Sequence, residues 1–210
     1  MTRDPDEPSD DASGDSHERG PIDEDRRRLV SWLWRLPVLA ALGGAGYGLV
    51  EVYRVHFAKL VPTDQPTFAP RPEHDVAPLA RFEAPWDAVT FDLAGLPAVA
   101  VRLPEPIAGG TSDAATHLAA FSRVCTHQAC IVDLTTDPEA IAFAFNHRTD
   151  RPQLTCACHY SVFDPLRAGR AVSGPAIRPL PRVRLRVVRE GAEPHVVADG
   201  VEVEAHGVRG

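Results

Sequence analysis

The chain has four cysteines, and they fall in two short clusters, Cys125-Thr126-His127-Gln128-Ala129-Cys130 and Cys156-Ala157-Cys158-His159-Tyr160-Ser161. Each cluster offers two thiols and one imidazole. A thiolate and an imidazole from each make a four-donor Cys2His2 set, suited to soft or borderline transition metals. Cys-x-His followed by Cys-x-x-His leaves one spare cysteine per cluster, Cys130 and Cys158. These two could join the loops through a disulfide, a bond favoured outside the cytoplasm. With 210 residues the chain suits one ordinary domain plus an accessory segment. Twenty prolines and fifteen glycines favour a turn-rich, all-β fold over a helical one.

Short runs from residue 82 onward read as strands: Ala88–Leu93, Ala98–Leu103, Ala119–Val124, Ala140–Phe145, Gln153–Cys156 and Arg182–Arg189. The last alternates, with Val183, Leu185 and Val187 on one face and Arg182, Arg184 and Arg186 on the other. That arginine face reads as the solvated side of an edge strand. The 28 residues between His127 and Cys156 include an expected hairpin insertion over 135–152, with His147 in its loop.

The N-terminal quarter follows different rules. Net charge is −7, which argues against nucleic-acid binding. Residues 1–28 carry ten acids against five arginines, and residues 1–24, without apolar periodicity, read as a disordered acidic tail. Arg26-Arg27-Arg28 then precedes the apolar stretch 29–50, interrupted by Arg35 alone. A bilayer core needs roughly 20 apolar helical residues, so residues 25–56 read as one transmembrane helix with its basic side cytoplasmic. The same residues resemble a twin-arginine export signal, and the segment reads as an uncleaved anchor. Residues 57–80, with five prolines, read as a semi-rigid tether. Residues 81–210 are then the head domain.

The two clusters resemble the signature of the Rieske 2Fe–2S family, Cys-Thr-His-x-Gly-Cys and Cys-Pro-Cys-His-Gly-Ser. The resemblance covers roughly residues 85–190. It implies a Rieske-type antiparallel β-sandwich with cluster-binding loops. It also implies one 2Fe–2S cluster, with Cys125 and Cys156 on one iron and His127 and His159 on the other. Cys130 and Cys158 match the bridging disulfide of the quinol-oxidising branch. Ser161 matches the residue that hydrogen-bonds a bridging sulfide. The run from Gly174 to Pro181 is similar to the family's Gly-Pro-rich cover loop. Ala129 and Tyr160 stand where the family has glycines, and Phe163 where high-potential members have tyrosine.

The resemblance implies the redox subunit of a quinol–cytochrome c oxidoreductase, not catalytic alone. His127 and His159 would meet quinol at a cytochrome b-type subunit, taking a proton with the electron, and a c-type cytochrome would accept the electron. Such a subunit sits in the cell membrane as a single-pass protein with its head on the periplasmic or outer face. A second reading is the Rieske small subunit of an exported oxidase of the arsenite oxidase type. A third is a structural zinc module, which accounts for four ligands but not for the two extra cysteines, Ser161 or the Gly-Pro loop.

Overall fold

A computed structural model of the chain describes residues 21–191 and 193–203. The acidic tail expected over 1–24 lies outside the described residues as far as residue 20. Two compact units divide at Gly48/Leu49.

Helix α1 spans Pro21–His56, and its first 28 residues lie in the N-terminal unit. The stretch Glu24–Val55 is long and apolar enough to cross a membrane, and none of its apolar window is buried within the chain. Trp32, Trp34, Leu36, Leu39 and Leu42 are all more than half exposed. Arg35 places its guanidinium 5.6 Å from the Trp32 ring, which partly shields that charge.

The C-terminal unit is built from antiparallel sheets. Its elements run β1 Phe68–Pro78, β2 Ala88–Leu93, β3 Leu96–Leu103, β4 Thr111–Asp113, β5 Thr116–Ser122, β6 Asp133–Thr135, α2 Pro138–Phe145, β7 Gln153–Cys156, β8 Ser161–Asp164, β9 Arg170–Ser173, β10 Arg182–Val188 and β11 His195–Glu202. One sheet has the order β1-β11-β10-β5-β3-β2, with β4 paired to β5. The other has the order β6-β7-β8-β9. The period-2 pattern of β3 and β5 sorts their side chains onto two faces. Val99, Val101, Leu103, Ala119 and Phe121 pack with Leu154, Phe163 and Ala171 from the second sheet. Ala98, Ala100, Leu118 and Ala120 pack with Val183, Leu185, Val196 and Ala198. The first of these cores also holds Cys125 and Cys156, so the cysteine loops are seated on packed hydrophobic structure.

Three expectations are corrected. The tether foreseen over 57–80 is strand in its second half: β1 pairs with β11 from Phe68↔Glu202 to Pro78↔His195. Proline is tolerated because β1 lies at the sheet edge, with register shifts after Pro70 and Asp75. Residues 140–145 are helical, not a strand of a hairpin. Asp137 caps α2 by accepting from Glu139 N at 2.9 Å, Pro138 follows, and Asn146 ends the helix at φ 48°. Lastly, β10 lies inside the sheet between β11 and β5. Its Arg182 is 1% exposed, while Arg184 and Arg186 share Asp199.

Candidate metal centre

The two cysteine loops are built differently and meet through their sulfurs. The first follows β5. It closes on itself through Cys125 N donating to Cys130 O (2.8 Å) and Ala129 N donating to Cys125 O (2.9 Å), with a bridge between Val124 and Ile131 behind it. The second is the tip of the β7–β8 hairpin, where Cys156 pairs with Ser161 and residues 157–160 form the turn. Ala129 and Tyr160 take φ of 58° and 60°. The glycine-like turns are therefore kept despite the Cβ atoms, at about 1–2 kcal/mol each. The Tyr160 ring packs edge-on against Phe145 of α2, centroids 6.0 Å apart. The insertion thus supplies a partner for the bulky residue at the tip.

Cys125 and Cys156 are buried, at 3% and 1% exposure. Burial pushes the Cys125 thiol up, while hydrogen bonds from the His127 and Gln128 amides pull it down and the neighbouring Cys156 pushes it up again. His127 is half-buried and His159 exposed. Their rings stand 4.9 Å apart and nearly perpendicular. His127 Nδ1 is buried without a hydrogen-bond partner. An orphaned ring nitrogen costs about 1–3 kcal/mol unless something occupies it, and a metal ion does so. Two buried thiols, two adjacent imidazoles and this orphaned nitrogen fit a thiolate–imidazole metal centre.

Cys130 and Cys158 form a disulfide that joins the loops. The Cys156 sulfur lies within 4.8 Å of both bonded sulfurs. That trio is no ion site, because two of its sulfurs are spent on each other. The bond closes a separation of 28 residues. Its reduction is expected to lower unfolding stability by about 2–4 kcal/mol. Denaturant titration of the full chain with and without dithiothreitol checks this, and equal midpoints would contradict it.

A third segment covers the loops. Ser161 is fully buried and accepts at Oγ from Ala176 N (3.1 Å). Its hydroxyl proton goes to no protein acceptor among the described residues. Thr126 Oγ1 donates to Arg178 O at 2.7 Å. Lys59 Nζ donates to Gly174 O and Ala176 O, both at 2.7 Å, and Leu60 N donates to Ile177 O at 3.0 Å. The stretch 174–178 is thereby held from the Ser161 side and from the 57–66 side. Sequence reasoning passed over Lys59. The available signal was that it is the single lysine beside 21 arginines.

Two buried thiols and two neighbouring imidazoles, on loops joined by a disulfide, are the donor set of a Cys2His2 iron–sulfur domain. Residues 84–184 match the family model of the Rieske [2Fe-2S] domain. This part of the chain is a Rieske domain, and such domains bind a 2Fe–2S cluster. The chain is 36% identical over 88 residues to a protein of Corynebacterium efficiens named cytochrome bc1 complex Rieske iron-sulfur subunit. That match covers 42% of this chain and 18% of the relative, so the chain spans under a fifth of that protein's length. It is 33% identical over 81 residues to a putative respiratory nitrate reductase subunit Rieske of Haloferax mediterranei, covering 39% of this chain and 29% of that one. Among solved structures, the soluble domain of Rieske protein II from Sulfolobus acidocaldarius matches with TM-score 0.44 and 23% identity, over 62% of this chain and 78% of that one.

Proposed function

We propose that the chain is the electron-transfer iron–sulfur subunit of a membrane quinol–cytochrome c oxidoreductase. In this reading residues 25–56 anchor it, with the N-terminus cytoplasmic. Residues 57–67 link the anchor to the domain, which stands on the outer face. Cys125 and Cys156 would hold one iron, and His127 and His159 the other. When bound, the cluster supplies a one-electron couple, within roughly −150 to +300 mV for this ligand set. The two imidazoles are neutral where thiolates would be negative, which favours reduction. Because His127 Nδ1 is buried, Nε2 is the atom left to hold or release a proton. His159, exposed beside it, is open to the hydroxyl of a quinol bound at a cytochrome b-type subunit. A c-type cytochrome then takes the electron. The observation that carries this reading is the disulfide between the two donor loops, which matches the quinol-oxidising branch.

The test is an electron paramagnetic resonance spectrum of reduced membranes containing the full chain, with and without a quinol-site inhibitor. A Rieske signal that shifts with inhibitor is expected. A signal indifferent to inhibitor, in a chain released from the membrane, would select the exported-oxidase reading. The relative named for nitrate reductase keeps that alternative in view.

Ser161 retains a hydroxyl proton to donate towards sulfur, whereas Phe163, fully buried among the residues around Cys125 and Cys156, has no hydroxyl. Hydrogen bonds to the sulfurs raise the potential. Phe163→Tyr is therefore expected to raise the midpoint in a redox titration followed by paramagnetic resonance. An intact cluster with an unchanged or lower midpoint would contradict this.

A further inference from the structure

A cleft of about 340 Å³ opens beside Gln153 and Asp164, the ends of β7 and β8 away from the cysteine tip. Its walls include Lys59, Arg148, Arg151, Arg167 and Arg170, with Phe57 also lining it. Two of these cations are paired. Arg151 Nε meets Asp150 at 3.0 Å, and Arg167 Nε meets Asp164 at 3.5 Å. Lys59, Arg148 and Arg170 have no carboxylate partner among the described residues. Three uncompensated cations therefore share one concave site.

The lysine is the most constrained of them. It is 9% exposed, and two of its three N–H donors go to Gly174 O and Ala176 O. One donor remains. Burial, and then the charge of Arg170, bring its pKa down to about 8. Five cations and the carboxylates of Asp150 and Asp164 line the cleft, which leaves an excess of three positive charges. Nearby, Gln153 donates through Nε2 to Thr149 Oγ1, while its buried Oε1 has no partner. The wall is polar and lacks one donor: Oε1 calls for an O–H or N–H, which a headgroup hydroxyl has and the phosphate oxygens themselves do not.

The position of the cleft along the chain suggests where that occupant comes from. The candidate membrane-spanning helix ends at Val55. Four residues span at most roughly 14 Å when extended, so Lys59 lies within that distance of the end of the apolar helix. The headgroup layer of a bilayer is roughly 5–8 Å deep on each side. Phe57 is 73% exposed and stacks on Tyr53 at 5.8 Å, an aromatic pair of the kind that settles at the interface.

We propose that this cleft binds the phosphate of an anionic membrane lipid, with Lys59, Arg148 and Arg170 as its cationic contacts. This rests on α1 being a membrane anchor. The chemistry is that of a phosphate oxyanion. Lysine supplies a compact point charge, and the arginines supply planar forks.

The test uses the full, cluster-loaded chain in dodecyl maltoside. Native mass spectrometry measures retention of phosphatidylglycerol against phosphatidylcholine. Phosphatidylglycerol is expected to be retained preferentially. Arg148→Gln and Arg170→Gln should each weaken its apparent affinity about fivefold, while Arg184→Gln, whose arginine is paired to Asp199, leaves it unchanged. In the wild type, acetylation of the single lysine should slow when phosphatidylglycerol is added, a readout that needs no variant. Equal retention of both lipids, or unchanged acetylation, would overturn the proposal. Slowing by millimolar inorganic phosphate with no preference between lipids would overturn the lipid source and assign the site to soluble phosphate. The paramagnetic signal of each variant is recorded alongside. Its persistence separates failure of this site from failure of the electron-transfer reading.

Discussion

Gly174→Ala is expected to destabilise the cover loop and strip the domain of its cluster. A Cβ built at Gly174 would lie 2.3 Å from the Tyr160 carbonyl oxygen and 2.6 Å from Ser161 Cα, at a backbone φ of 75°. Both near neighbours are backbone, so neither can rotate away. Left-handed strain costs about 1–3 kcal/mol, and overpacking of a tight site typically a further 1–3. The loop relieves this by lifting, which breaks the Ala176 N to Ser161 Oγ bond and exposes the sulfurs beneath. The measurement is visible absorption of purified full-length Gly174→Ala, together with its thermal midpoint. Wild-type absorption and an unchanged midpoint would show that the loop is not held in this way.

The second large effect is expected at Arg182, at the opposite end of the sequence logic. Its guanidinium makes a bidentate pair with Glu202, through Nε at 2.9 Å and Nη2 at 2.7 Å. It also donates to Ala108 O at 2.8 Å and Thr63 O at 2.9 Å. Arg182 and Glu202 side chains are 1% and 3% exposed. One buried group thus ties β11, the loop before β4 and the segment leading to β1. Removing one partner leaves a buried charge alone, so Arg182→Ala should cost about 3–5 kcal/mol. Arg182→Met combined with Glu202→Leu removes both charges and should recover much of that loss. Denaturant unfolding of the two variants decides it. A double variant as unstable as Arg182→Ala would mean that the backbone contacts, not the ion pair, carry the stability.

The cysteine clusters were legible because a metal site constrains residue type and spacing more tightly than any fold does. The disulfide partners followed from the two cysteines left over. The β10 strand was legible from its alternation, but its place was not. Arginines at every second position look the same on an edge strand as on an inner strand whose carboxylate partners, Asp199 and Glu202, sit on a neighbour. Three prolines hid β1, since an edge strand can lack those N–H groups without loss. The run Ala140–Phe145 is too short for apolar periodicity to separate helix from strand. Asp137-Pro138 at its start and Asn146 at its end were the available signals. Lys59 was not legible as part of the site, because its partners are backbone carbonyls 115 and 117 residues away.

Cys125, His127, Cys156 and His159 are proposed to hold the 2Fe–2S cluster. This is tested most directly by iron, zinc and acid-labile sulfide analysis of the full chain, repeated on His159→Ala. Iron and labile sulfide in equal amounts, without stoichiometric zinc, are expected in the wild type, and iron and sulfide are both lost in the variant. Zinc without labile sulfide in the wild type, or iron and sulfide retained in full by the variant, would contradict it.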